Sequence, residues 1–156
     1  MSSTTEPEST STTGENIAPS QQGIRRLQGN GLQFLDAHEI QQLDFNVVTR
    51  RFQNNNTQHW RLTNVGGNVY TIVQVSSGRF LDAHEIQSLN FRVVTRPQQN
   101  NDTQRWRLFD FGGNFFTIQQ VSSGRFLEAT SDGDFQVVTR PEAPGSNQQT
   151  WRLGDA

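Results

Sequence analysis

FLDAHEIQSLNFRVVTRPQQNNDTQRWRL, residues 80–108, recurs almost intact at residues 34–62 and in looser form at residues 126–153. Phe34, Phe80 and Phe126 open the three copies 46 residues apart, and Trp60, Trp106 and Trp151 close them at intervals of 46 and 45. Each copy reads F-L-(D/E)-A, then F-x-V-V-T-R, then Q-x-W-R-L. The copies are joined by N-V-Y-T-I-V-Q-V-S-S-G at 68–78 and N-F-F-T-I-Q-Q-V-S-S-G at 114–124. Short runs rich in Phe, Val and Thr with alternating polarity predict strands, and the Gly and Asn clusters between them predict turns. One unit is therefore four short strands, carried in the second copy by RFLDAH, FRVVTR, QRWRLFD and NFFTIQQV.

After Trp151 the third copy ends within five residues, so it lacks a fourth strand at its C-terminal side. GIRRLQGNG, residues 23–31, precedes Phe34 as TIVQVSSG precedes Phe80, and supplies that strand from the other end of the chain. An open array of repeats needs distinct capping units, whereas three four-stranded units closed by the first strand make a ring. The expectation is an all-β fold, a β-trefoil of three repeats of about 46 residues spanning residues 20–156, with the N-terminal strand closing the third lobe.

Composition narrows the function. The chain of 156 residues is long enough for one self-sufficient core. It has no cysteine, which excludes disulfides and thiolate metal sites. Thirteen arginines, no lysine and a net charge of −2 favour neither nucleic acid nor an anionic membrane as partner. No apolar run approaches the ~20 residues of a membrane-spanning helix. Residues 1–19, built of Ser, Thr, Glu and Pro, are expected to be a disordered tail. They lack the basic start and apolar centre of a secretory leader, which places the chain in the cytosol by default, with leaderless release as the route out.

Period-two geometry assigns faces to the strands. Leu81 and Ala83 are expected inward, with Phe80, Asp82 and His84 outward. Phe91 and Val93 are expected inward, with Arg92, Val94 and Arg96 outward. Trp106 and Leu108 are expected inward, with Arg105 and Arg107 outward.

Three lobes with L-D-A near the start and Gln58-His59-Trp60, Gln104-Arg105-Trp106 and Gln149-Thr150-Trp151 near the end resemble the ricin-B-type β-trefoil lectins over essentially all of the chain after residue 19. The resemblance implies a non-enzymatic, multivalent carbohydrate-binding protein with up to one shallow site per lobe and glycans as partners. It implies that the tryptophans are core, that the glutamines steady the lobes, and that the aspartate after the leucine accepts sugar hydroxyls. Asp36 and Asp82 match that aspartate, and Glu128 is one methylene longer. The sequence departs from the family at two places. Arg50, Arg96 and Arg140 fall near the usual stacking aromatic, and Thr57, Thr103 and Gln148 replace the asparagine before Q-x-W. Substitutes are His38 and His84, the outward Phe34 and Phe80, and the loop amides of Asn55 and Asn101.

Sugar chemistry supports the same candidates. A ring of hydroxyls needs paired acceptors and donors, and charge-assisted hydrogen bonds are the stronger kind. Asp36-Ala37-His38-Glu39 and Asp82-Ala83-His84-Glu85 offer them, whereas lobe three reads Glu128-Ala129-Thr130-Ser131 with a turn two residues shorter before Phe135. Two stronger sites, in lobes one and two, are expected. Catalysis is not: an exposed Asp82, His84 and Glu85 set lacks the facing carboxyls of a glycosidase cleft. The SSG turns are not nucleophile elbows, and the histidines have no metal-ligand spacing. No cofactor is expected. The alternative is a protein-interaction or inhibitor trefoil acting through loops, for which PEAPGSNQQ at 141–149 is the asymmetric candidate.

Overall fold

The computed structural model describes residues 21–156, so the expected tail over 1–19 lies outside the described residues. These residues form twelve strands: β1 Gly23–Gln28, β2 Phe34–Ala37, β3 Val47–Arg50, β4 Trp60–Gly66, β5 Val69–Gln74, β6 Phe80–Ala83, β7 Val93–Arg96, β8 Trp106–Asp110, β9 Phe115–Gln120, β10 Phe126–Ala129, β11 Val137–Arg140 and β12 Trp151–Asp155. Six of them close a barrel through antiparallel pairs in the order β1, β4, β5, β8, β9, β12 and back to β1. The other six are three hairpins, β2–β3, β6–β7 and β10–β11. Each hangs from the barrel by one residue pair, Gln28–Phe34, Val73–Phe80 and Gln119–Phe126. The fold is the β-trefoil expected from the repeat, and β1 pairs with β12 from Arg25–Asp155 to Gln28–Arg152, which completes the third lobe.

The barrel strands obey period two because one side meets the core and the other meets solvent. Trp60 and Leu62 are buried while Arg61 is exposed, and Tyr70 and Ile72 repeat the pattern. The three tryptophans are fully buried, and each indole Nε1 donates at 3.0 Å to the carbonyl of Leu35, Leu81 or Leu127 of its own lobe. Each Q-x-W tryptophan therefore ties a barrel strand to its hairpin. Gly29 is needed for the same packing, since a Cβ there would lie 2.9 Å from the Trp151 ring.

The hairpins break the alternation, and two expectations are corrected here. Asp36 and Asp82, expected to face solvent, are buried, as is Val94, expected outward, together with the matching Val48 and Val138. One face of each hairpin meets the barrel core. The other is covered by its neighbours: the bridges Asn46–Val94, Val48–Gln136 and Arg92–Val138 join the three hairpins around the pseudo-threefold axis. A strand covered on both sides buries consecutive residues.

Candidate functional site

The carboxylate after each hairpin leucine is held by the glutamine of the same lobe's Q-x-W. Asp82 Oδ1 accepts from Ala83 N at 2.7 Å and Oδ2 from Gln104 Nε2 at 3.0 Å, while the Gln104 amide also spans Pro97 O and Gln99 N at 2.9 Å each. Asp36 and Gln58 repeat this, with 2.7 Å to Ala37 N and 3.1 Å to Gln58 Nε2. Glu128 Oε1 accepts from Gln149 Nε2 at 3.0 Å. Asp36 is 6% exposed and Asp82 2%, and the Arg96 Nε lies 4.0 Å from Asp82 Oδ2. These carboxylates bind the loop before each tryptophan to its hairpin.

His38 and His84 reach across lobe boundaries. His84 Nε2 sits 2.7 Å from Asp44 Oδ2 of lobe one, which also takes Arg92 Nη2 at 3.1 Å. His38 Nε2 sits 3.0 Å from Asp134 Oδ2 of lobe three, which takes Arg50 Nη2 at 2.6 Å. At the third boundary the acceptor is Asn90 Oδ1, bonded by Arg140 Nη2 at 2.7 Å, and the histidine position is Thr130. Burial works to raise the Asp44 carboxyl, but the hydrogen bonds from His84 and Arg92 outweigh it and hold the group below the usual carboxylate range. For Asp134 the Arg50 hydrogen bond is the leading cause of the same downward shift.

Glu39 and Glu85 also bridge lobes, accepting from the Ser76 and Ser122 hydroxyls. Asn55 caps the turn before Gln58, its Oδ1 accepting from Thr57 N at 3.1 Å and Thr57 Oγ1 at 2.6 Å, and Asn101 does the same for Thr103. Such Asx caps fix loop shape, and each amide nitrogen donates at 3.5 Å to the side chain of Gln53 or Gln99 in its own loop.

The predicted candidates thus separate into two faces. His38, His84, Glu39 and Glu85 lie at the junctions between lobes. Asn55 and Asn101 cap loops within their own lobes, and Asn101 shares a cleft with Phe80. In lobe two, Phe80, Gln98, Asn101 and Gln104 line a shallow cleft of about 280 Å³. In lobe one, Phe34 and Phe52 meet edge to face with centres 5.9 Å apart, and Arg26 lies 4.9 Å from the Phe52 ring centre. Phe52, 57% exposed, escaped the sequence reading because it stands two residues past the arginine that occupies the expected aromatic position. The matching Phe126 of lobe three is buried. Among the described residues no group of three or more His, Cys, Asp or Glu side chains could hold a metal ion.

The family model for the ricin-type β-trefoil lectin domain-like proteins matches residues 56–139. Among solved structures, the designed threefold-symmetric protein ThreeFoil is 26% identical with a TM-score of 0.76, covering 85% of this chain and 99% of its own. The Polyporus squamosus lectin, bound to the epitope Neu5Acα2-6Galβ1-4GlcNAc, is 17% identical with a TM-score of 0.74 over 85% of this chain and 48% of its own. An exo-β-1,3-galactanase from Clostridium thermocellum is 23% identical with a TM-score of 0.71 over 85% of this chain and 30% of its own. The chain thus spans about half of that lectin and under a third of that enzyme. A search of curated proteins finds no match.

Proposed function

Because the chain belongs to the ricin-type β-trefoil lectin-like family, we propose that it is a non-catalytic carbohydrate-binding module with two working sites on the flanks of lobes one and two. The observation that carries this reading is the lobe-two cleft in which Asn101 and Gln98 stand beside the half-buried Phe80, together with the Phe34–Phe52 ring pair at the matching place in lobe one. A sugar offers hydroxyls and an apolar C–H face, and amides with an adjacent ring answer both. Asp36 and Asp82 act from beneath by fixing the loop that presents the asparagine. Lobe three differs in that Phe126, the match of Phe34 and Phe80, is buried.

Shallow sugar sites bind near the millimolar range, about −4 kcal/mol, so useful affinity comes from two sites engaging one glycan-bearing surface, with avidity gains of ~10²–10⁴. A glycan array at physiological salt, repeated with free saccharide as competitor, tests the class. Competed binding is the expected result, and an array without any competed signal refutes it. A protein partner is the second reading, favoured by one feature. Phe111, 69% exposed, lines a cleft of about 250 Å³ with Ala143, Pro144 and Gly145 of the asymmetric loop.

A further inference from the structure

The three junctions between lobes are built to one plan, and one of them is open. Where lobe one meets lobe two, the Arg79 guanidinium lies 3.6 Å from the centre of the Phe45 ring, while Nε and Nη2 donate to Thr95 Oγ1 at 3.0 Å and Thr95 O at 2.7 Å. Where lobe two meets lobe three, Arg125 repeats this over Phe91 at 3.8 Å, with 3.2 and 2.8 Å to Thr139. Beside each stack a carboxylate crosses the junction, from Glu39 to Ser76 and from Glu85 to Ser122.

The junction of lobe three with lobe one keeps the frame and loses the filling. Thr49 N donates to Phe135 O at 3.1 Å, as Thr95 N does to Phe45 O and Thr139 N to Phe91 O. Phe135 also keeps the left-handed backbone of Phe45 and Phe91, with φ of 58° against 50° for both. The arginine position, however, is Gln33, which spends its Oε1 on the Thr49 hydroxyl at 2.9 Å and carries no cation to lay across the ring. Ser131 stands where the glutamates are, and Asn30 where the serines are. The result is a cleft of about 330 Å³ walled by Phe135, 40% exposed, and by Gln33, Ser131 and Gln148. That volume is at the small end of ordinary ligand sites, ~300–1,000 Å³. No side chain lining it among the described residues is charged.

We propose that this junction is a further binding site, of a kind different from the lobe flanks, and that it takes one neutral sugar ring with its C–H face on Phe135. The choice of ligand rests on the reading of the chain as a carbohydrate binder. Two features of the cleft support it independently. A cation stacked on Phe135 finds no carboxylate in the wall, and an anion finds no arginine, so an uncharged guest fits the lining. The two amides and the serine hydroxyl supply both donors and acceptors, which suits hydroxyl groups.

Gln33→Arg rebuilds the filling present at the other two junctions and is the decisive variant, with Phe135→Ala as its partner. Galactose, N-acetylgalactosamine, glucose and mannose are titrated separately into the wild-type chain and both variants, followed by ¹H–¹⁵N NMR. The expected result is that at least one sugar shifts the amides of Gln33, Ser131 and Gln148. Gln33→Arg should weaken that response by ~10-fold or more with an undiminished melting temperature, while the responses around Asn55 and Asn101 stay as they were. Unchanged affinity at these amides in Gln33→Arg overturns the site, as does a wild-type response confined to the Asn55 and Asn101 regions, and either leaves the carbohydrate function standing. Silence of every amide to all four sugars overturns both. A response to N-acetyl-arginine amide with none to the sugars overturns the ligand class.

Discussion

Replacing Asp82 with alanine removes a carboxylate that is almost wholly buried and that closes a hydrogen-bond cycle between β6 and the loop before Trp106. Two groups lose their acceptor. The Ala83 N–H, bonded at 2.7 Å, is left buried and unpaired, at about 1–3 kcal/mol. The Gln104 amide loses a charged partner worth about 1.5–3 kcal/mol, although it keeps Pro97 O. Together the loss is roughly 3–5 kcal/mol, which for a domain of this size lowers the melting temperature by about 10–20 °C. Asp82→Asn retains one acceptor but sets its amide hydrogens against Gln104 Nε2, which cannot turn over because Gln104 Oε1 already accepts from Gln99 N. Asp82→Glu copies the arrangement of Glu128 with Gln149 and should lose less than either. Urea denaturation of all three, together with Gln104→Ala and the double variant Asp82→Ala/Gln104→Ala, measures the coupling, expected at about 1–2 kcal/mol. A melting temperature for Asp82→Ala within about 2 °C of wild type refutes the assignment of this carboxylate as a fastener of the lobe.

Removing residues 1–28 deletes β1 and exposes the edges of β4 and β12, so the whole domain should lose cooperative unfolding, while removal of residues 1–20 should leave the melting temperature unchanged; circular dichroism melts of both decide it. Trp106→Ala empties a fully buried site and breaks the bond to Leu81 O, for a loss of roughly 3–5 kcal/mol measured by urea titration. Asp44 and Asp134 have carboxyls lowered in the folded chain, so the stability they add is complete above the unfolded carboxylate value near 3.8 and is lost as pH falls through the lower folded value. Asp44→Asn, the residue that lobe two already has as Asn90, should flatten the acid limb of the melting temperature against pH, and an unaltered acid limb counts against the pair.

The barrel was readable because each of its strands has one wet face and one dry face, so Trp106 and Leu108 declare themselves by alternation. Closure was readable from the strand missing after Trp151 and the spare GIRRL before Phe34. Asp82 and Val94 misled because their hairpins are covered on both sides, and the second cover comes from another lobe about 46 residues away, which no pattern within a segment records. The near-identity of D-A-H-E in lobes one and two reads as a repeated sugar site, and His84 and Glu85 also serve as repeated junction contacts. A signal for this was present between the copies. Histidine stands at 38 and 84 where the partner positions are Asp134 and Asp44, and Thr130 replaces it where the partner is Asn90. The open junction needed the same comparison: Gln33, Ser131 and Asn30 are unremarkable alone and informative only beside Arg79, Glu85 and Ser76.

The pairing of β1 with β12 has a consequence for the order in which the protein is made. Arg25 waits for Asp155, 130 positions later, and the neighbouring pairs wait almost as long. At synthesis rates of about 5–20 residues per second, β1 remains without its β12 neighbour for roughly 6–26 s after it is polymerised. Lobes one and two can gather their hairpins from nearby chain in that interval, but the ring has a free strand edge until β12 has been made, and unpaired edges are where nascent chains meet one another. The arginines of GIRRL, one of them bonded to Gly154 O and the other to Asp155 O in the finished barrel, keep that waiting edge charged.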